Sequence, residues 1–229
     1  MPEAHDGRLR PEQVARVVIR PLGTVLPVGF LVFAVGAFLS ASYSLGWIPE
    51  SQGVDLFKLM LAFVVPVQAV AAIFAFLSRD SAGGTTLGVF GSTWAALALT
   101  GLSLKPGETS TALGYFLVAD GMVIVILGIA ALFGNPAFSV ILAVACARFT
   151  LNGVYELNGS TTVEHVSGYV GLVLASVAAY GGLAFLLEDG RGEPVLPMLR
   201  HGPAREVFDA DLLDQLEGVE SEAGVRPRL

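Results

Sequence analysis

The sequence predicts an all-α integral membrane protein, a bundle of six transmembrane helices that run alternately up and down. Six long apolar stretches each approach or exceed the ~20 residues that a helix needs to cross a bilayer. Charged residues make up 14% of the chain and the mean hydropathy is +0.69, whereas soluble domains carry about 25% charged residues. The stretches are Thr24–Gly46, Asp55–Phe76, Thr86–Leu104, Ala112–Gly134, Phe138–Leu157 and Ser167–Leu187.

The polar ends of the chain flank this membrane domain. Residues 1–23 are predicted to be a cytoplasmic segment with a short interfacial helix over Glu12–Ile19, because three valines share one face and Pro21 ends the pattern. Residues 24–187 form the transmembrane domain. Residues 188–229 form an acidic cytoplasmic tail that holds much of the net charge of −7, with a surface helix predicted over Glu206–Val219.

The distribution of positive charge predicts the orientation. Nearly all arginines lie in the N-terminal segment, in the turn at Arg79 or in the tail, whereas the opposite loops hold only Lys58 and Lys105. Both termini are therefore expected on the cytoplasmic side of the plasma or inner membrane. The connecting loops are short, which forces neighbouring helices to be antiparallel.

Two ionisable residues, Asp120 and Arg148, lie at membrane depth in the fourth and fifth stretches. Counted from the intervening turn, both are roughly 17–23 Å along their helices, so they differ in depth by about one turn. A salt bridge would neutralise both. Alternatively, Arg148 attracts an anion and Asp120 is its resting partner, because a guanidinium donates two parallel hydrogen bonds to a carboxylate.

A polar stripe on the fifth helix indicates a polar surface inside the bundle. Arg148, Asn152, Tyr155 and Glu156 recur at helical spacing, and we expect them to face a water-filled lumen, with a buried seam against the fourth helix as the alternative. Further candidates for the same lining are Gln68, Ser92 and Thr93. Pro66 is expected to kink the second helix close to Gln68.

Other side chains favour structural roles. Cys146 is alone in the chain and is expected to pack as an apolar residue. His165 is expected in a loop before the sixth helix, as a solvated cap. The small residues of that helix, from Gly168 to Gly182, are typical of close helix packing, with an oligomer interface as the alternative.

No catalytic or cofactor-binding motif is present. The sequence has no His-Glu-x-x-His, no Gly-x-Ser-x-Gly, no Walker A motif and no Gly-x-Gly-x-x-Gly. No histidine or cysteine pair stands at metal-ligand spacing. We therefore expect no metal, no cofactor, no nucleic-acid partner and no enzymatic activity.

Three segments in order resemble the acetate uptake transporter family, also called the succinate–acetate permease family. Thr24–Phe33 is similar to the second half of its signature Asn-Pro-x-Pro-Leu-Gly-Leu-x-x-Phe, without the Asn-Pro. Phe90–Trp94 is similar to Tyr-Gly-Ser-Phe-Trp, and His165–Leu172 to His-Phe-Ala-Gly-Trp-x-Gly-Leu. Tyr180 and Val195–Pro197 also match. The chain resembles a divergent member.

This resemblance implies a six-helix protomer with its own pore, assembled as a homo-hexamer, that passes acetate, succinate or similar small carboxylates, with protons as a candidate coupling ion. It also implies a hydrophobic constriction at Phe33, at Phe90 in place of a tyrosine, and at Leu151. Such a constriction rejects hydrated ions. Because acetic acid titrates near the ~4.3 of glutamate, a proton-linked route would work best in mildly acidic medium.

Two other functions remain open at this stage. A channel for a neutral solute such as urea or a short amide also suits a six-helix ring, although the Arg148 charge disfavours it. A non-conducting membrane scaffold or sensor would use the acidic tail to bind partners. A water-accessible lumen lined by Arg148, Asn152 and Tyr155 would favour transport, and a dry bundle centre would favour the scaffold.

Overall fold

The computed structural model describes residues 23–78, 80–133 and 136–199. Within these residues, six helices are long and apolar enough to cross a membrane. No strand occurs in this part of the chain. The helices are α1 (Leu26–Ser44), α2 (Glu50–Leu77), α3 (Ser81–Ser103), α4 (Thr111–Leu132), α5 (Pro136–Asn158) and α6 (Thr161–Arg191).

The six helices form a ring in sequence order. Each helix contacts its neighbour along the chain, and α6 packs extensively against α1, which closes the ring. The most extensive pairs are α4 with α5, α1 with α6, and α2 with α3. The predicted all-α up-and-down bundle of six transmembrane helices is therefore confirmed.

Helix α2 changes its winding before Pro66. It starts with a 3-10 turn, continues as α-helix, passes through a π-helical turn and resumes as α-helix; the segments are Glu50–Gln52, Gly53–Leu59, Met60–Val64 and Val65–Leu77. A proline cannot donate a backbone hydrogen bond to the carbonyl four residues earlier, and that carbonyl belongs to Ala62, inside the π-helical turn. The irregularity expected at Pro66 is therefore a local widening of the helix.

Three helices, α2, α3 and α6, begin five or six residues earlier than the hydropathy pattern predicts. Helix α3 starts at Ser81 because Asp80 caps it: its Oδ1 accepts a hydrogen bond of 2.8 Å from the backbone N–H of Gly83. Helix α6 starts at Thr161, so His165 is an exposed helical residue, and its predicted position in a loop is wrong. The predicted helices at Glu12–Ile19 and Glu206–Val219 lie outside the described residues.

Glycines bring helices close together within the protomer. A Cβ on Gly168 would lie 3.3 Å from the backbone oxygen of Ala41, and one on Gly182 would lie 3.2 Å from the backbone nitrogen of Leu31. These positions pack α6 against α1, so small residues of α6 serve packing inside the protomer. Gly114 and Gly153 join α4 and α5 in the same way, because a Cβ on Gly153 would lie 2.8 Å from the oxygen of Gly114.

The outer surface of the bundle is strongly apolar. Helix α4 is the least buried of the six spans. Its outward side chains include Met122, Ile126 and Ile129. Such a surface suits contact with lipid or with another membrane protein. Polar side chains gather instead toward one end of the bundle interior.

Candidate functional site

A cavity of about 400 Å³ opens at the end of the bundle where α1 ends and α6 begins. This cavity, here called the vestibule, lies opposite the end that holds Leu26 and Arg191. Its walls come from all six helices and from the loops after α1 and α3. Its polar lining includes Ser40, Tyr43, Ser44, Glu50, Lys105, Glu108, Asn152, Tyr155, Glu156, Thr161, Glu164 and His165.

Carboxylates dominate the charge of the vestibule. Glutamates 50, 108, 156 and 164 line it, against Lys105 and His165. Two of the glutamates are held by backbone donors: Glu156 Oε2 accepts a 2.7 Å bond from the N–H of Ser110, and Glu108 Oε2 accepts a 3.0 Å bond from the N–H of Lys105. The wall therefore disfavours entry of free anions and favours cations or neutral acids.

Arg148 lies beneath the vestibule floor, with 3% of its surface exposed. Its Nη2 donates hydrogen bonds of 2.8 Å to Ser40 Oγ and 3.1 Å to Ser44 Oγ, and its Nη1 donates to Ser167 Oγ. Ser167 Oγ in turn donates a 3.3 Å bond to the backbone oxygen of Arg148. These three serines, here called the serine cage, satisfy the guanidinium, and Ser40 and Ser44 also line the vestibule.

The predicted salt bridge between Arg148 and Asp120 is not formed. Within the described ranges, no carboxylate oxygen lies within the 4.0 Å salt-bridge limit of the guanidinium. The two helices do meet at the expected depth, since a Cβ on Gly121 would collide with Thr150 Oγ1. Thr150 follows Arg148 by two residues, which is about 200° around a helix. Arg148 therefore faces α1 and α6, on the side away from α4.

Asp120 is buried with 8% of its surface exposed. Its carboxylate lies beside the hydroxyl of Thr93 on α3. Its Oδ2 has no hydrogen-bond partner, and the residue lines neither the vestibule nor the small apolar cavity around Phe30. Asp120 is therefore separate from the Arg148 site, although both lie at similar depth.

Four aromatic side chains pack against one another in the bundle interior, deeper than Arg148 as seen from the vestibule. The ring centroids of Phe33 and Phe90 lie 4.4 Å apart, and Phe149 stacks on Phe90 at 6.0 Å. Trp94 lies 5.8 Å from Phe33 and 5.6 Å from Phe149. This group, here called the aromatic cluster, lies about two turns from Ser40 along α1. Beyond it lies a cavity of about 20 Å³, lined mostly by apolar residues, between the cluster and Leu26.

The structure brings some of the sequence-predicted residues together and separates others. Asn152, Tyr155 and Glu156 line the vestibule, as expected for a polar stripe that faces a cavity. Phe33 and Phe90 are in contact. Leu151 is half-buried and lies outside the core cluster that contains both phenylalanines, so its role in a constriction stays a prediction.

Two predicted lining residues face other surroundings. Ser92 is exposed and borders neither cavity, because Phe90 and Trp94 form the inward face of α3. Gln68 is fully buried in a seam between α1, α2 and α3, where its Nε2 lies 3.5 Å from the oxygen of Gly29 and its Oε1 has no partner. The expectation that these two residues line a lumen with Arg148 is therefore wrong for this structure.

Sequence reasoning missed the residues that complete the site. Ser40, Ser44 and Ser167 lie in apolar stretches where serine is an ordinary packing residue, so nothing marks them apart from their distance to Arg148. The hydropathy pattern places Glu164 in a loop, although it is helical. In the described residues, no group of three or more His, Cys, Asp or Glu side chains could hold a metal ion.

The chain belongs to the GPR1/FUN34/yaaH family, whose model matches residues 5–197. Among curated relatives, an uncharacterized protein of Methanothermobacter thermautotrophicus is 25% identical over 75% of this chain and 88% of its own. The ammonia transport outward protein 2 of Saccharomyces cerevisiae is 22% identical over 80% of this chain and 68% of its own. The succinate-acetate/proton symporter SatP of Escherichia coli is 23% identical over 77% and 95%.

A solved structure shares the fold. The bacterial acetate channel SatP superposes with a TM-score of 0.68 at 20% sequence identity, over 77% of this chain and 99% of that one. This likeness shows the fold, and the family match makes the chain a divergent, multi-pass member of the GPR1/FUN34/yaaH family. The predicted family resemblance is confirmed.

Proposed function

We propose that this protein carries acetate and similar small monocarboxylates across the membrane, with a proton, as a channel or transporter and not as an enzyme. The observation that supports this most directly is Arg148, a buried cation within the described bundle that has no carboxylate in contact. Its hydrogen-bond partners, Ser40 and Ser44, form part of the vestibule floor. A small anion in the vestibule would therefore meet the guanidinium after passing only two hydroxyl groups.

Among the described residues, no carboxylate contacts the guanidinium, and the charge of Glu164 compensates it only in part. Hydroxyl groups satisfy the donors of Arg148 but supply no negative charge, and a buried charge without a counter-ion is costly. Arginine cannot relieve this cost by losing its proton, because its guanidinium stays protonated in proteins. A carboxylate ligand supplies the missing charge and matches the planar fork of the guanidinium. The names of the Escherichia coli relative and of the superposed bacterial channel point to the same substrate class.

The acidic vestibule supports a proton-linked route. Four glutamates repel free acetate at the entrance but not neutral acetic acid. Acetic acid has a pKa close to the ~4.3 of glutamate, so its neutral fraction grows tenfold for each pH unit of acidification well above that value. The aromatic cluster below Arg148 also favours the neutral acid, because an apolar constriction cannot replace the water that a hydrated ion would lose.

The test is uptake of labelled acetate into proteoliposomes, with protein-free liposomes subtracted and with and without an inward proton gradient. We expect saturable, gradient-stimulated uptake that unlabelled acetate inhibits and urea does not. Arg148→Ala should abolish it, whereas Lys58→Ala, which removes an exposed lysine paired at 3.6 Å with Asp55, should not. Folded wild-type protein without acetate uptake would exclude the proposal.

A second candidate is passage of ammonium, favoured by the same acidic wall and by the name of the yeast relative. Carboxylates at a cavity mouth concentrate cations. The Arg148→Ala variant separates the two candidates. Acetate transport should be lost in this variant, whereas ammonium transport should persist or increase because a positive charge has left the path.

We further propose that the protomers assemble as a homo-hexamer and that both termini face the cytoplasm. The apolar outer surface of α4 and the resemblance to the family support the assembly, and the arginine distribution supports the orientation. Native mass spectrometry would give the number of protomers. Labelling of single cysteines introduced at Gly190 and at Gly107 would report which end of the bundle an impermeant reagent reaches.

A further inference from the structure

Glu164 stands out among the carboxylates of the vestibule because of its relation to Arg148. It lies on α6 one turn before Ser167, about 4.5 Å along the helix axis, and Ser167 is hydrogen-bonded to the guanidinium. Within the described residues, Glu164 is the carboxylate whose charge acts on Arg148. It nevertheless forms no salt bridge with it, because its side chain lines the vestibule wall.

The surroundings of Glu164 keep its carboxylate beside the vestibule. The Tyr155 hydroxyl lies beside it from α5, and the charges of His165 and Arg148 act favourably on it. Like charges come from Glu50 at the start of α2 and from Glu156 on α5, and Tyr43 of α1 borders the same group. The carboxylate thus lies between a partly compensating arginine and several other acids.

An acetate ion bound at Arg148 would enter the field of this carboxylate. Both negative charges would then share one guanidinium, in a site where burial strengthens their repulsion. The repulsion disappears when Glu164 carries a proton. Binding of the substrate carboxylate and protonation of Glu164 are therefore linked, and each favours the other by the same free energy.

We infer that Glu164 is the proton-binding residue of this site and that its protonation is the condition for binding a carboxylate at Arg148. Neutral acetic acid enters the vestibule, its O–H bond breaks, and the proton forms an O–H bond with Glu164. The acetate ion keeps the electron pair and binds the guanidinium. The same proton returns to acetate when it leaves Arg148, so the net species that binds and departs is the neutral acid. This inference rests on the proposed acetate transport.

The sign of the expected pH dependence follows. Glu164 is charged at high pH and opposes acetate, so affinity should rise as the pH falls and reach a plateau once Glu164 is protonated. Glu164→Gln mimics the neutral carboxyl group at every pH. Its affinity for acetate near neutral pH should therefore exceed that of wild type by about tenfold, within the 5- to 150-fold range of coupled sites, and should not change with pH.

The experiment is titration calorimetry of the full chain in lipid nanodiscs with acetate, at several pH values and in buffers of different ionisation enthalpy. Wild type should take up about one proton per acetate bound near neutral pH, beyond any proton that the ligand itself exchanges. Glu164→Gln should take up none, and Glu164→Asp should restore the uptake. Glu108→Gln removes a carboxylate from the same vestibule whose side chain is tied to its own loop and should keep the wild-type coupling.

The outcomes separate this inference from the proposed function. Glu164→Gln with the wild-type pH dependence and proton uptake would overturn the role of Glu164 and leave acetate transport intact. The same loss of coupling in Glu108→Gln would also overturn it, because the effect would then belong to the general charge of the vestibule. Absence of acetate binding in both wild type and Glu164→Gln would overturn the Arg148 site itself and, with it, this inference.

Discussion

Arg148 and Asp120 are both buried at similar depth, in adjacent helices, yet their surroundings differ. Arg148 lies under a polar cavity and donates to the three hydroxyls of the serine cage. Asp120 lies between helices beside Thr93, with one oxygen unpartnered and neither described cavity next to it. Depth in the membrane therefore does not identify a transport site. What distinguishes Arg148 is that two of its hydrogen-bond partners, Ser40 and Ser44, line a cavity.

The chemistry of the two side chains sharpens this contrast. A buried aspartate can become neutral by binding a proton, whereas a buried arginine keeps its charge and needs an anion. Removal of the Arg148 charge should therefore change function far more than removal of the Asp120 charge. The predictions below test this difference, starting with the largest expected effect.

Arg148→Met should lower acetate uptake by about 100-fold, because a hydrogen-bonded charge pair at a binding site contributes roughly 2–5 kcal/mol. The midpoint of thermal unfolding in detergent should not fall, because an apolar side chain of similar length replaces a buried charge that no carboxylate contacts among the described residues. A marked loss of thermal stability would instead assign Arg148 a structural role.

Gly171→Ala should lower acetate uptake by roughly 10- to 100-fold, the scale of effect that a small misplacement of a functional group produces. A Cβ at this position would lie 2.9 Å from Arg148 Nε and 2.9 Å from the Cβ of Ala41. Gly190→Ala on the same helix is the control, because nothing lies within 4 Å of its Cβ. Uptake assays of both variants, at matched protein amounts, would measure the difference.

Phe33→Ala should raise the ratio of propionate to acetate uptake by about tenfold, since a pocket discriminates an extra methylene by roughly 1–3 kcal/mol. The ring of Phe33 packs between Phe90 and Trp94. Phe63→Ala removes an exposed ring of α2 and should leave the ratio unchanged. The effect of Leu151→Ala in the same assay tests whether this half-buried residue belongs to the constriction.

Asp120→Asn should change acetate uptake by less than about twofold, which corresponds to less than about 0.5 kcal/mol. The amide keeps the shape of the side chain and removes only its negative charge. A loss comparable to that of Arg148→Met would show that Asp120 belongs to the transport path, and the contrast between the two residues would then be wrong.

The sequence predicts the helices well and the site in part. Hydropathy locates all six spans because burial in lipid requires long apolar helices. It misses the polar first turn of α6, since Thr161 to His165 are mostly polar although helical. The pattern therefore places Glu164 in a loop, and its position one turn from Ser167 cannot be inferred. The hydropathy pattern also misses the first turn of α3, which begins early because Asp80 caps it.

Helix rotation explains the remaining errors. Counting residues gives the similar depths of Asp120 and Arg148, but depth does not specify which face meets which neighbour. Contacts of Gly121 with Thr150 fix the rotation of α5 and turn Arg148 toward α1 and α6. Such contacts depend on packing between distant segments, which a single sequence does not reveal. The serine cage cannot be predicted from the sequence for this reason.

The proposed function requires that a substrate carboxylate binds the guanidinium of Arg148. Solid-state NMR of the protein in lipid bilayers, with ¹⁵N-labelled arginine side chains and acetate labelled with ¹³C at its carboxyl carbon, measures this contact directly. We predict a carbon–nitrogen dipolar coupling that reports hydrogen-bond proximity in wild type and is absent in Arg148→Met. Bound acetate without this coupling in wild type, or with the same coupling in the variant, would show that acetate does not bind the guanidinium of Arg148.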